Sequence, residues 1–329
     1  MMKKKVLVIG GAGYIGSHMV RALTREKIPV AVFDNLSTGH RSFVPNGVPF
    51  IKGDLQRPRD IRDVFKRFPV DAVMHFAASC LVGESVEKPL KYYENNVLAC
   101  VHLLKAMVDA RVKRFIFSST CAIYGEPKKV PISERNEKAP VNPYGQSKLM
   151  IENMLKDTSA AHDFSYITLR YFNACGAHAS GQIGERHDPE THLIPNILKV
   201  ASGRSRQVSL FGDDYPTPDG TCVRDYIHVD DLAQAHLLAL KALKRGIRNE
   251  AFNLGIGKGY SVRQILKEAE RVTGKTIKTV IGPRRPGDPA VLVAKPDKAR
   301  QRLGWKPRKD LHDIIRSAWL WEQKEAHRS

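Results

Sequence analysis

The 329-residue sequence predicts a doubly wound α/β fold followed by a smaller lobe. Three observations carry the prediction: apolar strand patterns that alternate with helical ones in the first half, a glycine-rich turn between the first strand and helix, and Pro- and Gly-rich segments from about residue 172. They divide the chain into a larger domain over residues 1–172 and a smaller lobe over residues 173–329.

The first elements form a strand, a glycine turn and a helix. Residues 6–9 are an apolar strand, residues 10–16 (GGAGYIG) a glycine turn, and residues 17–23 the helix that follows. Such a turn lets the backbone approach a pyrophosphate, which the helix N-terminus attracts. The next strand, residues 30–33, ends in Asp34, at the spacing of a carboxylate that accepts adenosine ribose hydroxyls. Because Asp34 would repel a 2′-phosphate, the pattern favours NAD over NADP.

Three later strands end in small or polar residues. Residues 50–55 place Asp54 either near the adenine or at the N-cap of the next helix. Residues 70–78 end in two alanines that let a cofactor lie close to the backbone, and His75 within them is interpreted as a packed strand residue. Residues 115–120 end in three hydroxyl side chains, at the sheet edge where ligands bind in such folds.

Tyr144 and Lys148 stand four residues apart after Pro143, in a segment with helical apolar spacing. They therefore share a helix face, where the lysine could stabilise a tyrosinate; an ordinary exposed face is the alternative. Tyr124 and Lys128 have the same spacing, but a Gly and a Pro lie between them and predict a turn.

Several motifs, in order and at matching spacing, resemble the UDP-glucose 4-epimerase family of extended short-chain dehydrogenases/reductases. They include GGAGYIG at 10–16, HFAA at 75–78, FIFSST at 115–120, YGQSK at 144–148, LRYFNACGAH at 169–178, GERHDPETHLIP at 184–195, FGDDYPTPDGTCVRDYIHVDDLA at 211–233 and PRRPGDPA at 283–290. The similarity runs from Val6 to about Trp321. It implies a Rossmann-type NAD-binding domain interleaved with a UDP-sugar-binding lobe, and a homodimer formed through a helix pair that includes residues 89–108.

The resemblance also implies a reaction: reversible 4-epimerisation of UDP-glucose and UDP-galactose through a 4-keto intermediate, with transient hydride transfer to a resident NAD. Tyr144 would take the proton of the sugar 4-hydroxyl, Lys148 would hold the nicotinamide ribose and lower the Tyr144 pKa, and Thr120 would relay the proton. The implied cofactor-binding residues are Gly10, Gly13, Tyr14, Ile15, Gly16, Asp34, Asn35, Asp54, Leu55, Phe76, Ala77, Ala78, Asn95, Tyr144, Lys148 and Phe172. The implied substrate-binding residues are Thr120, Tyr144, Asn173, Leu193, Ser209, Leu210, Phe211, Arg224, Arg285, Asp288 and Leu292.

Two positions depart from the family pattern. Cys80 stands where enterobacterial-type members carry a Lys, so any pyrophosphate contact from that Lys is missing. Leu292 aligns with a Tyr of members restricted to unacetylated sugars, which leaves open whether the pocket also admits a 2-acetamido group. Arg224 is expected to grip the diphosphate, with a structural ion pair to Asp225 as the alternative.

Competing functions are less well supported by the sequence. A nucleotide-sugar 4,6-dehydratase usually has an Asp-Glu pair after the strand-end Thr, whereas Thr120 is followed by Cys121 and Ala122. A non-catalytic NAD-binding protein would be expected to lose Tyr144 or Lys148, and both are present.

The formal net charge of +19 invites a nucleic-acid interpretation, but the basic residues are spread along the chain without an aromatic-interleaved patch. We interpret them as solvated surface that also attracts anionic UDP-sugars. No stretch is long and apolar enough to span a membrane. The cysteines form no CxxC pair and are odd in number, which predicts reduced thiols in the cytoplasm and no metal site. They are at positions 80, 100, 121, 175 and 222.

Overall fold

The computed structural model describes residues 3–285 and 288–327. The strands are β1 (Lys5–Ile9), β2 (Val30–Asp34), β3 (Phe50–Lys52), β4 (Val70–His75), β5 (Arg114–Thr120), β6 (Ser165–Tyr171), β7 (Asn173–Cys175), β8 (Val208–Phe211), β9 (Val223–His228), β10 (Glu250–Leu254), β11 (Gly259–Ser261), β12 (Thr279–Gly282) and β13 (Val291–Leu292). The α-helices are α1 (Tyr14–Arg25), α2 (Pro58–Arg67), α3 (Val82–Glu87), α4 (Pro89–Tyr92), α5 (Ala99–Asp109), α6 (Pro143–Ala161), α7 (Leu193–Ala201), α8 (Val229–Lys244), α9 (Val262–Thr273), α10 (Asp297–Leu303) and α11 (Leu311–Ala326).

Seven strands form one parallel sheet in the order β10-β6-β5-β4-β1-β2-β3. The predicted doubly wound α/β fold is confirmed. The strands are apolar on both faces because helices cover both, as in the run Val6–Ile9, whose four side chains are all buried. The strand order reverses at β1, whose neighbours are β2 and β4, and ligands bind at the carboxyl ends of strands at such a point.

Two apolar cores cover the faces of this sheet. On one face α1 packs against α8, with Met19, Leu23, Leu237 and Leu240 all buried. On the other face α2, α5 and α6 supply a second core. Helix α1 begins three residues earlier than the sequence predicted, at Tyr14 rather than residue 17, because Gly13 is its N-cap.

The smaller lobe is built around β9, which pairs with β7 and β13 in parallel and with β11 in the antiparallel sense. A separate parallel pair, β8 and β12, lies beside it, and α7, α9 and α11 enclose the lobe's own core. Between β9 and β11 the chain returns to the large sheet, where β10 pairs with β6 over five residues. The division of the chain at residue 172 stays a prediction.

Residues 89–109 form one helical run, in which a π-helical stretch (Tyr93–Leu98) joins α4 to α5. A helix was predicted here as part of a subunit interface. Within the described part of the chain, no helix combines the length and apolarity needed to cross a membrane.

Candidate active site

The glycine turn brings the ends of β1 and β4 together with the start of α1. Gly10 has a φ of +75°, and a Cβ built there would lie 2.6 Å from the backbone nitrogen of Ala77. A Cβ on Gly16 would lie 2.1 Å from the carbonyl oxygen of Gly10. Only glycine fits at both positions. The first turn of α1 has no side-chain cap, so its backbone N–H groups are available to an anionic group, as the sequence predicted for a pyrophosphate.

Asp34 ends β2 directly beside this turn. Its carboxylate accepts hydrogen bonds from the backbone nitrogens of Ala12, at 2.9 Å, and of Leu36, at 2.8 Å. Burial raises its pKa above the ordinary value. The two hydrogen bonds hold the carboxylate at the strand end, and free lone pairs remain for ribose hydroxyls.

Asn35 and Asp54 lie together, since Nδ2 of Asn35 donates to Oδ2 of Asp54 at 3.1 Å. The carboxylate of Asp54 also accepts from the backbone nitrogen of Gln56 at 2.8 Å. The N-cap of α2 is Arg57, so the helix-capping interpretation of Asp54 is wrong. Leu55 is buried in the core between the sheet and α2.

The side chains of Tyr14 and Ile15 point away from the glycine turn. The Tyr14 hydroxyl donates to the carbonyl oxygen of Gly176 at 2.5 Å, which ties the large domain to the smaller lobe. Ile15 packs against the core. Any cofactor contact from these two residues would therefore come from their backbone.

The segment after β4 begins with His75, which is 2% exposed and lies edge-on to Phe115 and Phe117. Burial lowers its pKa to about 3. Its position in β4 and its low exposure agree with the interpretation of His75 as a packed strand residue. Phe76, Ala77 and Ala78 follow at the sheet edge and are half-buried.

Asn95 and its neighbour Asn96 both hydrogen-bond to Ser79, which follows this sheet edge, and Asn96 also hydrogen-bonds to α6. Nδ2 of Asn95 donates to Oγ of Ser79 at 3.1 Å. Asn96, which the sequence analysis missed, accepts from the backbone nitrogen of Ser79 at 2.8 Å and donates to Oγ of Ser147 at 3.0 Å. Ser147 in turn donates to the carbonyl oxygen of Tyr144 at 2.8 Å. A single buried Asn within the helical run over residues 89–109 gives no sequence pattern that would reveal this role.

Tyr144 and Lys148 lie on one face of α6, as predicted. Asn142 caps the helix through a 2.8 Å hydrogen bond from the backbone nitrogen of Gly145, and Pro143 is its first residue. Lys148 is only 2% exposed, and its Nζ donates to the carbonyl oxygen of Ser118 at 2.9 Å. The alternative of an ordinary exposed helix face is therefore wrong.

Burial shifts the pKa of both members of the pair. Burial raises the pKa of Tyr144 well above its ordinary value, although a hydrogen bond with Thr120 acts in the opposite direction. Burial also lowers the pKa of Lys148 to about 8. Desolvation of the phenolate is thus the largest influence on the pKa of Tyr144 in the chain alone, and the lowering of that pKa by Lys148 stays a prediction.

Of the three side-chain hydroxyls that end β5, two already hydrogen-bond to other side chains. Ser118 hydrogen-bonds to the hydroxyl of Tyr171, and Ser119 donates to Oε1 of Glu152 at 2.7 Å. Thr120 is the hydroxyl that lies against Tyr144. Its Oγ1 also accepts from the backbone nitrogen of Ala122 at 3.1 Å, which fixes its orientation.

A buried ion pair between Arg170 and Glu152 lies next to the end of β5. Nε and Nη2 of Arg170 donate to the two carboxylate oxygens of Glu152 at 2.9 and 2.6 Å. Nη1 of Arg170 donates to the hydroxyl of Tyr124 at 2.8 Å. Tyr124 ends a short 3₁₀ helix and is followed by Gly125, with a φ of +57°. Its pairing with Lys128 on a helix is thus excluded, as predicted, and its role is structural.

Arg224 is the buried cation of the smaller lobe. Its Nη2 pairs with Oδ1 of Asp288, and Nη1 donates to the carbonyl oxygen of Val223 at 2.9 Å. Asp225 instead accepts from the backbone nitrogens of Ile256, at 2.8 Å, and Gly257, at 2.9 Å. The alternative Arg224–Asp225 ion pair is wrong, because successive strand residues point to opposite faces. Burial raises the pKa of Asp225 to about 6.

Strand β8 presents Ser209 and Phe211 on its exposed face, while Leu210 is buried in the lobe's core. The Arg285 guanidinium carbon lies 3.9 Å from the ring centroid of Phe211. Leu210 could therefore touch a substrate only through its backbone. Asn173 begins β7, where it is half-buried, and Leu193 begins α7. Residues 286 and 287 of the PRRPGDPA motif lie outside the described residues.

Leu292 belongs to a small apolar cluster with Cys121, Ile123 and Phe172, and it is 8% exposed. Cys121 follows Thr120 directly, so the cluster borders the Thr120 hydroxyl. Cys80 is exposed and lies close enough to Tyr144 and Lys148 to influence the pKa of each. Both departures from the family pattern are thus at the candidate site.

Comparisons with known proteins agree with this geometry. The model of the NAD dependent epimerase/dehydratase family matches residues 6–255. The UDP-glucose 4-epimerase of Lactobacillus helveticus is 52% identical over 320 residues, which cover 97% of each chain.

Two solved structures have the same fold. One is a UDP-glucose 4-epimerase from Brucella ovis in complex with NAD, with a TM-score of 0.93, 48% identity and coverage of 96% of this chain and 98% of that one. The other is from Bifidobacterium longum, in complex with NAD+ and UDP, with a TM-score of 0.94, 40% identity and 98% coverage of both chains. The chain therefore belongs to the NAD dependent epimerase/dehydratase family, in the group of the UDP-glucose 4-epimerases.

Proposed function

We propose that this chain interconverts UDP-glucose and UDP-galactose by oxidising and re-reducing the sugar at C4. The observation that carries the proposal is the meeting of Tyr144, Lys148 and Thr120 at the carboxyl edge of the parallel sheet, where the glycine turn also ends. The relatives' NAD and UDP complexes support a resident NAD and a UDP-linked substrate.

In this reaction NAD supplies a hydride acceptor and, when oxidised, a positive charge. Tyr144 takes the proton of the 4-hydroxyl and later returns it, and Thr120 orients the reacting oxygen through its hydroxyl. Lys148, held by the carbonyl oxygen of Ser118, keeps two N–H donors for the nicotinamide ribose. Because burial raises the Tyr144 pKa, the phenol keeps its proton until further positive charge is bound nearby.

A 4,6-dehydratase reaction is not favoured. It requires an additional acid and base after Thr120, where this chain has the buried Cys121. The nearby carboxylate of Glu152 is committed to Arg170 and Ser119, so it is not available as a substitute. A sugar oxidised to the ketone at C4 therefore finds no acid and base among these residues for the loss of water.

Replacement of Tyr144 by Phe tests the proposal. We expect turnover of UDP-galactose in a coupled assay to fall by about 10² to 10⁴, the usual contribution of a general acid–base group. NAD binding, followed by nicotinamide fluorescence after reduction, should persist. Tyr166→Phe, a half-buried tyrosine at the start of β6, is the matched control. Full activity in Tyr144→Phe would refute the mechanism.

Binding of the substrate's diphosphate is tested separately at Arg224. We propose that Arg224 binds this diphosphate together with Arg285. Arg224→Ala should weaken UDP binding while NAD remains bound, since the side chain lies in the smaller lobe. Arg284→Ala is the control, because its guanidinium pairs with Asp214 instead. Unchanged UDP affinity in Arg224→Ala would contradict this assignment.

Leu292 supports a wider sugar pocket, because it is smaller than the Tyr of restricted relatives and packs against Phe172 and Cys121. We expect turnover of UDP-N-acetylgalactosamine as well as UDP-galactose, and a selective loss of the former in Leu292→Tyr. Absence of turnover of the acetylated sugar by the natural chain would remove this proposal.

We also propose a homodimer through α5 and α6. Exposed apolar side chains lie along the helical run over residues 89–109 that ends in α5, with Leu90 73% exposed, Leu98 47% and Val101 42%. A shallow groove between the two helices is lined in part by Val101, Leu104 and Met154. Val101→Glu should lower the mass measured by light scattering, whereas Val280→Glu, at an equally exposed position on β12, should not. A monomeric natural chain would contradict the proposal.

A cytoplasmic location remains part of the proposal. It is supported by the five cysteines, all of them free thiols, three of which are buried. Fractionation of the producing cell, with activity recovered outside the cytoplasm, would overturn it.

A further inference from the structure

Four side chains of metal-binding type lie together in the segment that joins β7 to α7. Glu185, His187, Glu190 and His192 each bring one ligand atom within 4.8 Å of the others. The two carboxylates are buried, at 7% and 2% side-chain exposure. Cysteine spacing predicts no metal site, but the E-x-H-x₂-E-x-H pattern of residues 185–192 is a signal for one that does not involve cysteine.

The backbone of this segment is fixed by its surroundings. Nε1 of Trp321 donates to the carbonyl oxygen of Glu185 at 2.9 Å, and a Cβ on Gly184 would lie 2.4 Å from the same indole ring. At the other end, His192 is the N-cap of α7. Both ends of the segment that carries the four side chains are therefore held by neighbouring elements.

The distances between the ligand atoms approach those of a tetrahedral site. Nδ1 of His192 lies 3.0 Å from Glu185 Oε1 and 2.9 Å from Glu190 Oε1, and Nδ1 of His187 lies 3.6 Å from Glu185 Oε1 and 3.4 Å from Glu190 Oε2. Atoms bound tetrahedrally about 2.0 to 2.2 Å from Zn²⁺ lie about 3.3 to 3.6 Å apart. Small side-chain adjustments would close the difference.

One of the four ligand atoms has no hydrogen-bond partner among the described residues. Nδ1 of His187 is buried and makes no hydrogen bond, although it faces both carboxylates. The arginine within the segment, Arg186, does not neutralise them, since its guanidinium pairs with Glu325 and lies 5.4 Å from the ring centroid of Phe43. Glu190 Oε1 already accepts from the backbone nitrogens of Thr191 and His192 and lies 2.9 Å from Nδ1 of His192. A cation at the centre of the cluster would therefore replace the proton that His192 shares with the carboxylates, and it would give the orphan nitrogen of His187 a partner.

We propose that Glu185, His187, Glu190 and His192 bind a Zn²⁺ ion. Two imidazole nitrogens and two carboxylate oxygens form a donor set suited to zinc, and four protein ligands close the coordination shell, as in structural sites. The ion would secure the 184–192 segment to the start of α7, where Leu193 belongs to the proposed substrate-binding residues. The inference does not depend on the proposed sugar chemistry.

Zinc binding is tested on the full chain with its bound nucleotide, after removal of any affinity tag and of metal by dipicolinate. Titration calorimetry and mass-spectrometric metal analysis should give one Zn²⁺ per chain. His187→Ala should weaken binding at least about 100-fold. His162→Ala, at an exposed position on the end of α6, should leave it unchanged. No bound zinc, or unchanged binding in His187→Ala, would overturn the proposal.

Cobalt provides a second test that does not depend on how well His187→Ala folds. Co²⁺ added to the metal-free natural chain should give the strong visible absorption of a tetrahedral site. His187→Cys keeps a ligand at this position and should add a thiolate-to-cobalt band in the near ultraviolet. Weak octahedral spectra in the natural chain, or no thiolate band in a folded His187→Cys variant, would also refute the site.

Discussion

Replacing Glu152 by Gln is expected to destabilise the protein by about 3 to 5 kcal/mol. The Arg170–Glu152 pair is 3% and 9% exposed and makes two short hydrogen bonds, with a third to Glu152 from Ser119. The amide of Gln would place one N–H₂ group against the guanidinium or the Ser119 hydroxyl, and it removes the negative charge. The buried Arg170 charge would then be uncompensated, which is the costly case for a buried pair.

The measurement is the free energy of unfolding from urea titration at pH 7, at a fixed NAD concentration. Glu137→Gln is the matched control, because Glu137 pairs with Lys128 at 3.2 Å but the two side chains are 70% and 86% exposed. That pair should contribute less than about 1 kcal/mol. The double replacement Glu152→Leu with Arg170→Met should recover most of the loss, since it removes both charges. A cost for Glu152→Gln no larger than that for Glu137→Gln would refute the reasoning.

Two further predictions follow from the site. Burial lowers the pKa of Lys148 to about 8, from 10.5 in the unfolded chain. Between these two pKa values the folded chain has lost the Lys148 proton while the unfolded chain still holds it. The free energy of unfolding should therefore rise with pH in this range. Relative to Lys148→Met, nucleotide-free natural chain should gain about 2 kcal/mol of unfolding free energy between pH 8 and about 9.5, and a flat difference would contradict the lowered pKa. Gly10→Ala should cost about 1 to 3 kcal/mol more than Gly47→Ala and weaken NAD binding, because both glycines have positive φ but only Gly10 has the Ala77 backbone within reach of a Cβ. Equal melting temperatures for these two variants would contradict that explanation.

Local patterns were sufficient to predict the parts of the fold that depend on neighbouring residues. The strands at residues 6–9 and 30–33, the glycine turn and the shared helix face of Tyr144 and Lys148 all follow from periodicity and turn chemistry. The strand order and the return of β10 to the large sheet do not, because they depend on which segments meet across the fold.

Contacts between distant residues account for what the sequence could not provide. Arg224 pairs with Asp288, 64 positions away, rather than with its neighbour Asp225. Likewise the low pKa of Lys148 comes from burial beneath the sheet edge, which a sequence pattern cannot quantify. Spacing predicted that Tyr144 and Lys148 share a helix face, but the electrostatic state of the two side chains depends on the atoms that surround them.

The position of β10 at the edge of the large sheet affects how the chain is made. A nascent chain that has emerged only to residue 172 ends just after β6, whose outer hydrogen-bonding groups pair with Glu250–Leu254 in the finished protein. Until about eighty further residues leave the ribosome, that strand remains an open edge able to pair with another molecule. Helix α8, which packs against α1, also arrives late. Completion of the large sheet thus awaits synthesis of the chain up to β10, and a fragment cut at residue 172 would be prone to aggregation.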